Sequence, residues 1–167
     1  MKEVVTGGNG RSEANISSMQ KVEKRVLLRA PRSRVWSALT DVKKFCEWFG
    51  LEPAEGAFVP GARLHMVANK ELDGGDFDIF VEQLQPEHLF SWRWHPGSQD
   101  STLDYSVEPT TLVVFTLADA PGGTMLTITE SGFDQISLAR RARVFSENQH
   151  GWDFQMERLE RYVNEAS

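Results

Sequence analysis

DQISLARRARVFSENQHGWDFQMERLERYV, residues 134–163, decides the fold. Its apolar residues Leu138, Ala142, Phe145, Trp152, Met156, Leu159 and Val163 are spaced alternately by four and three, with Gln149 filling the one missing place. That spacing predicts one face of a long helix. Arg141, Glu147, Asp153, Glu157 and Glu160 cover the other sides. An apolar stripe this long must face something apolar, and the residues before it supply the surface.

Toward the N-terminus, residues 124–130 and 111–118 read as strands joined by Ala120-Pro121-Gly122-Gly123. Before them, 88–95 follows a turn at Pro86-Glu87, and 77–84 and 63–68 read as strands around Gly74-Gly75. The segment 51–61 holds two prolines and two glycines and reads as a loop. At the start of the pattern, Val22, Lys24, Val26 and Leu28 alternate with Glu23, Arg25, Leu27 and Arg29, the period of a strand. Pro31 then opens a helix that gathers Val35, Trp36 and Leu39 on one face. Thr40 or Asp41 caps a second short helix carrying Phe45, Trp48 and Phe49 and stopped by Gly50. Residues 1–20 mix Gly, Asn and Ser with apolar residues at no fixed period and read as a disordered tail, with Met19 as a second candidate start. The expected organisation is this tail and one domain, 21–167.

One strand, two short helices, five strands and a long helix make an α+β chain. A curved antiparallel sheet of about six strands buries such a helix by wrapping around it, which is a helix grip. Sheet and helix separate toward one end, so an apolar cavity between them is the natural place for a site.

A set of residues in the first half stands out together: Ala30-Pro31, Val35-Trp36, Leu39-Thr40-Asp41, Trp48-Phe49 and Pro60-Gly61. Further on it continues with Val81, Pro86, Leu89, Trp92, Thr111, Val113, Phe115, Gly123-Thr124, Leu126, Ile128, Gly132-Phe133, Gly151-Trp152, Leu159 and Tyr162. On these residues the chain resembles the START-like helix-grip superfamily, in the branch named for activators of the heat-shock chaperone ATPase. The resemblance covers about 22–165. The resemblance implies a sheet gripping the last helix around a cavity for an apolar ligand. It implies little chemistry, because relatives include lipid carriers, hormone receptors, cyclases and co-chaperones. Ala62 follows Pro60-Gly61 where relatives often have a second Gly.

With 18 Lys and Arg against 24 Asp and Glu, the chain carries a net charge of −6, which argues against nucleic acid as a partner. Cys46 is the one cysteine, so no internal disulfide is possible. The sequence contains no apolar run long enough for a membrane span and no signal-peptide pattern, so membrane insertion is not expected and a cytoplasmic location is. Monomer and homodimer both remain open.

Phe90, Trp92 and Trp94 alternate with Leu89, Ser91 and Arg93 and share one strand face, where they line a cavity or pack a core. Met66 and Phe115 from the sheet, with Phe145, Trp152 and Met156 from the helix, complete the candidate ligand wall. Gln149 sits in an otherwise apolar seam, where its amide needs a partner: a ligand, a water or a backbone carbonyl. Glu130 shares a strand face with Leu126 and Ile128. It is then either a buried acid at the end of an apolar wall or a solvated residue at the rim.

His65, His88, His95 and His150 are scattered and form no metal-ligand set. Cys46 reads as packing, Arg140, Arg141 and Arg143 as a solvated face, and no nucleotide-binding glycine motif occurs. No cofactor or metal is expected, and no catalytic residue is assigned. The function expected is binding of a small apolar ligand, lipid-like or aromatic, between sheet and helix. The alternatives are a co-chaperone-like module with a chaperone as partner and linked to stress response, and an enzyme acting on a hydrophobic substrate in the same cavity.

Overall fold

Period-two alternation puts every second residue of the strands on one face, and that face is buried. In β6 (Gly123–Ser131), Thr124, Leu126, Ile128 and Glu130 are buried while the residues between them are partly exposed. In β5 (Thr111–Ala120), Thr111, Val113, Phe115 and Leu117 do the same. The other strands are β1 (Lys21–Leu28), β2 (Arg63–Met66), β3 (Phe77–Gln85) and β4 (Leu89–Trp94). The computed structural model describes residues 21–69, 75–97 and 104–165. The expected tail at 1–20 and Gly74 of the expected turn lie outside them.

All six strands form one antiparallel sheet in the order β1-β6-β5-β4-β3-β2. Two short helices, α1 (Arg32–Thr40) and α2 (Val42–Phe49), follow β1, and the chain ends in α3 (Leu138–Glu165). The curved sheet and long terminal helix are those of a helix grip, as expected.

Local chemistry explains the boundaries. Pro31 stands just before α1 at φ −65°, so its missing N–H removes no helical bond. Asp41 caps α2 by accepting from the Lys44 N–H at 3.0 Å, while Thr40 donates back to the Trp36 carbonyl instead. Gly50 ends α2 in the left-handed region at φ 91°. The last carbonyls of α2, which no intrahelical donor reaches, accept from α3: Gln155 Nε2 donates to the Phe49 carbonyl at 3.0 Å and Arg158 Nε to the Trp48 carbonyl at 2.6 Å. These bonds fix one end of the helix over α2.

The stripe of α3 is as expected at Phe145, Trp152, Met156, Leu159 and Val163, and it departs from expectation at its first turns and at Gln149. Gln149 is exposed, Leu138 is 80% exposed and Ala142 is exposed as well. The inward residues are Val144, Phe145, Trp152, Gln155, Met156, Leu159 and Val163, with Asn148 half-buried among them. A repeat of alternating fours and threes averages 3.5 residues, whereas a straight helix turns every 3.6 and drifts by about 20° per heptad. Counting back from Leu159 in steps of 3.6 gives 155–156, 152, 148 and 144–145. Asn148 therefore takes the place assigned to Gln149.

Candidate functional site

The last rows of the sheet bring the candidate residues together. Trp92 pairs with Val113, Val113 with Glu130, and Glu130 with Val22, a single row across four strands. One row further, Trp94 pairs with Thr111. Gly132 then turns the chain out of β6 at φ 103°, where a side chain would press on the Thr110 carbonyl at 3.3 Å. Asn148 and Trp152, four residues apart on α3, descend on this corner.

Glu130 is fully buried and accepts hydrogen bonds from four of these neighbours. Its Oε2 accepts from the Thr111 hydroxyl at 2.6 Å and the Trp94 indole N–H at 2.8 Å. Its Oε1 accepts from the Trp152 indole N–H at 2.8 Å, and the Asn148 amide donates to both oxygens at 3.0 Å. No Lys, Arg or His appears among these hydrogen-bond partners. Burial pushes the Glu130 pKa above the ordinary carboxyl range, and the four donors counter it in part. Of the two readings of Glu130, burial is correct and the solvated rim is not.

Aromatic rings surround the carboxyl. Trp94 and Trp152 stack with centroids 5.7 Å apart, and Trp92 lies 5.5 Å from Trp94 and 6.4 Å from Trp152. Phe115 sits 5.0 Å from Trp92 and 5.8 Å from Trp152, and Phe90 lies 5.5 Å from Trp92. These are contact distances for rings, so Phe90, Trp92 and Phe115 pack a core in this structure. Phe45 and Phe49 of α2 reach the same cluster, Phe45 at 5.6 Å from Trp92 and Phe49 at 6.3 Å from Trp152.

The remaining candidates are less central. Met66 is buried on β2 opposite Phe77, whose ring lies 5.5 Å from Trp94, and Met156 is buried one turn beyond Trp152. Phe145 is buried but turns to Phe133, 5.2 Å away. Gln149 faces outward and joins none of them. Asn148, Thr111 and Gln155 are not among the candidate site residues that the sequence offers. A 3.6-residue projection of α3 points to Asn148 and Gln155, and strand parity from Val113 points to Thr111.

A concavity of about 280 Å³ lies on the outside between α2 and the end of α3, lined by Glu47, Trp48, Arg158, Arg161, Tyr162 and Glu165. Tyr162 donates to Glu47 at 2.6 Å, and partial burial together with that carboxylate pushes its pKa up to about 12. Burial raises the Cys46 thiol too, which suits packing better than reactivity. Among the described residues, no three His, Cys, Asp or Glu side chains gather as metal ligands. No described helix is long and apolar enough to cross a membrane.

The family model described as activator of Hsp90 ATPase homolog 1-like protein matches residues 29–164. The chain belongs to this family. Among solved structures, a protein from Mesorhizobium loti is 26% identical with a TM-score of 0.70, covering 89% of this chain and 99% of its own. DynU16, a protein in the dynemicin biosynthetic locus, is 27% identical with a TM-score of 0.66, and the match covers 87% of this chain and 47% of that one. The Aha1 dimer from Colwellia psychrerythraea shares the fold at 18% identity and a TM-score of 0.65, covering 86% and 95%. No curated protein matches the chain.

Proposed function

We propose that this member of the Hsp90-activator-like family binds a small apolar molecule between the sheet and α3, against Trp92, Trp94, Phe115 and Trp152. The observation that carries the reading is Glu130: a buried carboxyl held by four neutral donors with no cation among them, inside an aromatic shell. A buried, perturbed acid in this setting marks a candidate site. The rings touch one another, so a ligand enters by displacing side chains. Met66 and Met156, unbranched and flexible, are suited to yield. The likeness to a protein of a biosynthetic locus agrees with a small-molecule ligand.

Titration with N-phenyl-1-naphthylamine tests the reading. Saturable, one-to-one quenching of tryptophan emission supports it, and quenching that rises without saturation overturns it. Protein purified from its host and examined by native mass spectrometry provides a second line: a retained small molecule is the expected outcome.

The family description supports a second reading, a module that acts on a chaperone ATPase through its surface. Co-purification with a chaperone and stimulation of its ATPase by the pure protein are the outcomes that favour it. The enzyme reading has less support. Both Glu130 oxygens already accept hydrogen bonds, so proton transfer to a substrate must first break one.

A further inference from the structure

Two buried polar atoms, one on the sheet and one on α3, hold no hydrogen bond among the described residues. The indole Nε1 of Trp92, fully buried, finds no acceptor among the described residues, and Gln155 Oε1, on a side chain 5% exposed, finds no donor. Most buried polar groups in native proteins are partnered, so each unpartnered one needs a reason. The Gln155 amide is not free to turn, since its Nε2 is committed to the Phe49 carbonyl. Both residues neighbour Trp152: Trp92 lies 6.4 Å from it ring to ring, and Gln155 follows it by three residues on the inward face of α3. Arg32 Nε and Arg140 Nε are also unbonded, but those guanidiniums have other partners. Arg32 faces Glu87 and Asp119, and Arg140 faces Glu108 and donates to the Pro96 carbonyl.

Building on the ligand reading above, we infer that the ligand is a neutral, hydroxyl-bearing molecule, a phenol or alcohol on an apolar frame. Its oxygen accepts from Trp92 Nε1 and its O–H donates to Gln155 Oε1. A plain hydrocarbon leaves both protein atoms unpaired and loses the affinity they offer. A carboxylate ligand satisfies Trp92 but sets its charge against the Gln155 oxygen and beside buried Glu130, with no cation among that residue's partners to receive it. A hydroxyl uses the donor and the acceptor together.

The test uses the full chain and isothermal titration calorimetry with naphthalene, 2-methoxynaphthalene, 2-naphthol and 2-naphthoate near neutral pH. The ether accepts without donating, so 2-naphthol should bind tightest, 2-methoxynaphthalene about fivefold more weakly and naphthalene about fivefold more weakly again, with 2-naphthoate weakest. Gln155→Leu should erase the difference between naphthol and ether, and Trp92→Phe the difference between ether and hydrocarbon. If Trp92→Phe does not fold, the parent ranking and Gln155→Leu still decide the matter. Equal binding of naphthol and naphthalene, or tightest binding of naphthoate, overturns the hydroxyl assignment and leaves the ligand reading intact. If none of the four binds saturably, the ligand reading falls with it.

Discussion

Glu130 is held where a carboxyl is least comfortable, and the donors around it show what its removal exposes. Glu130→Leu leaves two indole N–H groups, the Thr111 hydroxyl and the Asn148 amide without their acceptor. Each buried group left unpaired costs about 1–3 kcal/mol, so the variant should lose at least ~3 kcal/mol in urea unfolding. The pH dependence follows from the raised pKa. Between the ordinary value of 4.5 and the higher folded value, the folded state holds a proton that the unfolded chain has released. Protonation therefore stabilises the fold at low pH, and this contribution is lost as pH rises from 4.5 through the folded pKa. Melting temperatures of the parent, compared with Glu130→Gln, should show that decline in the parent alone. A parent that instead gains stability over the variant in this window contradicts the raised pKa.

At the scale of the element, α3 turns Asn148 inward and Gln149 outward. Asn148→Ala removes donors to a buried carboxyl and should cost about 1–2 kcal/mol, while Gln149→Ala, at an exposed position, should stay within about 0.5 kcal/mol of the parent. The reverse ranking in denaturant unfolding contradicts the observed phase. That the sequence suggested Gln149 has a physical cause. The apolar residues Leu138 and Ala142 extend a 3.5-residue pattern into a part of the helix that has already rotated toward solvent. Strands were read more securely because the side-chain period of two has no drift. Parity alone put Phe90 and Trp92 inward, and it aligned Glu130 with Leu126 and Ile128. What parity does not supply is the cage. Thr111, Trp94 and Asn148 meet Glu130 across 19, 36 and 18 residues of sequence, and sheet register brings the first two there while the docking of α3 brings Asn148.

For the whole molecule, sheet and helix complete each other. The inward face of β4, β5 and β6 carries fully buried Trp92, Phe115, Leu126 and Ile128, and it is the face that α3 covers with Trp152. A fragment ending at residue 133 bares that face and should be insoluble or unfolded, as judged by solubility and cooperative melting. The five tryptophans let the ligand claim be located as well as detected. Trp92, Trp94 and Trp152 surround the Glu130 corner, Trp48 lines the outer groove with its N–H on the Ala38 carbonyl, and Trp36 lies on α1. The most direct measurement is the set of indole ¹⁵N–¹H resonances during titration with N-phenyl-1-naphthylamine. Binding between sheet and helix shifts Trp92, Trp94 and Trp152 to a common saturation point and leaves Trp36 and Trp48 in place. Saturable shifts confined to Trp36 and Trp48, or no saturable shift at all, contradict an interior site.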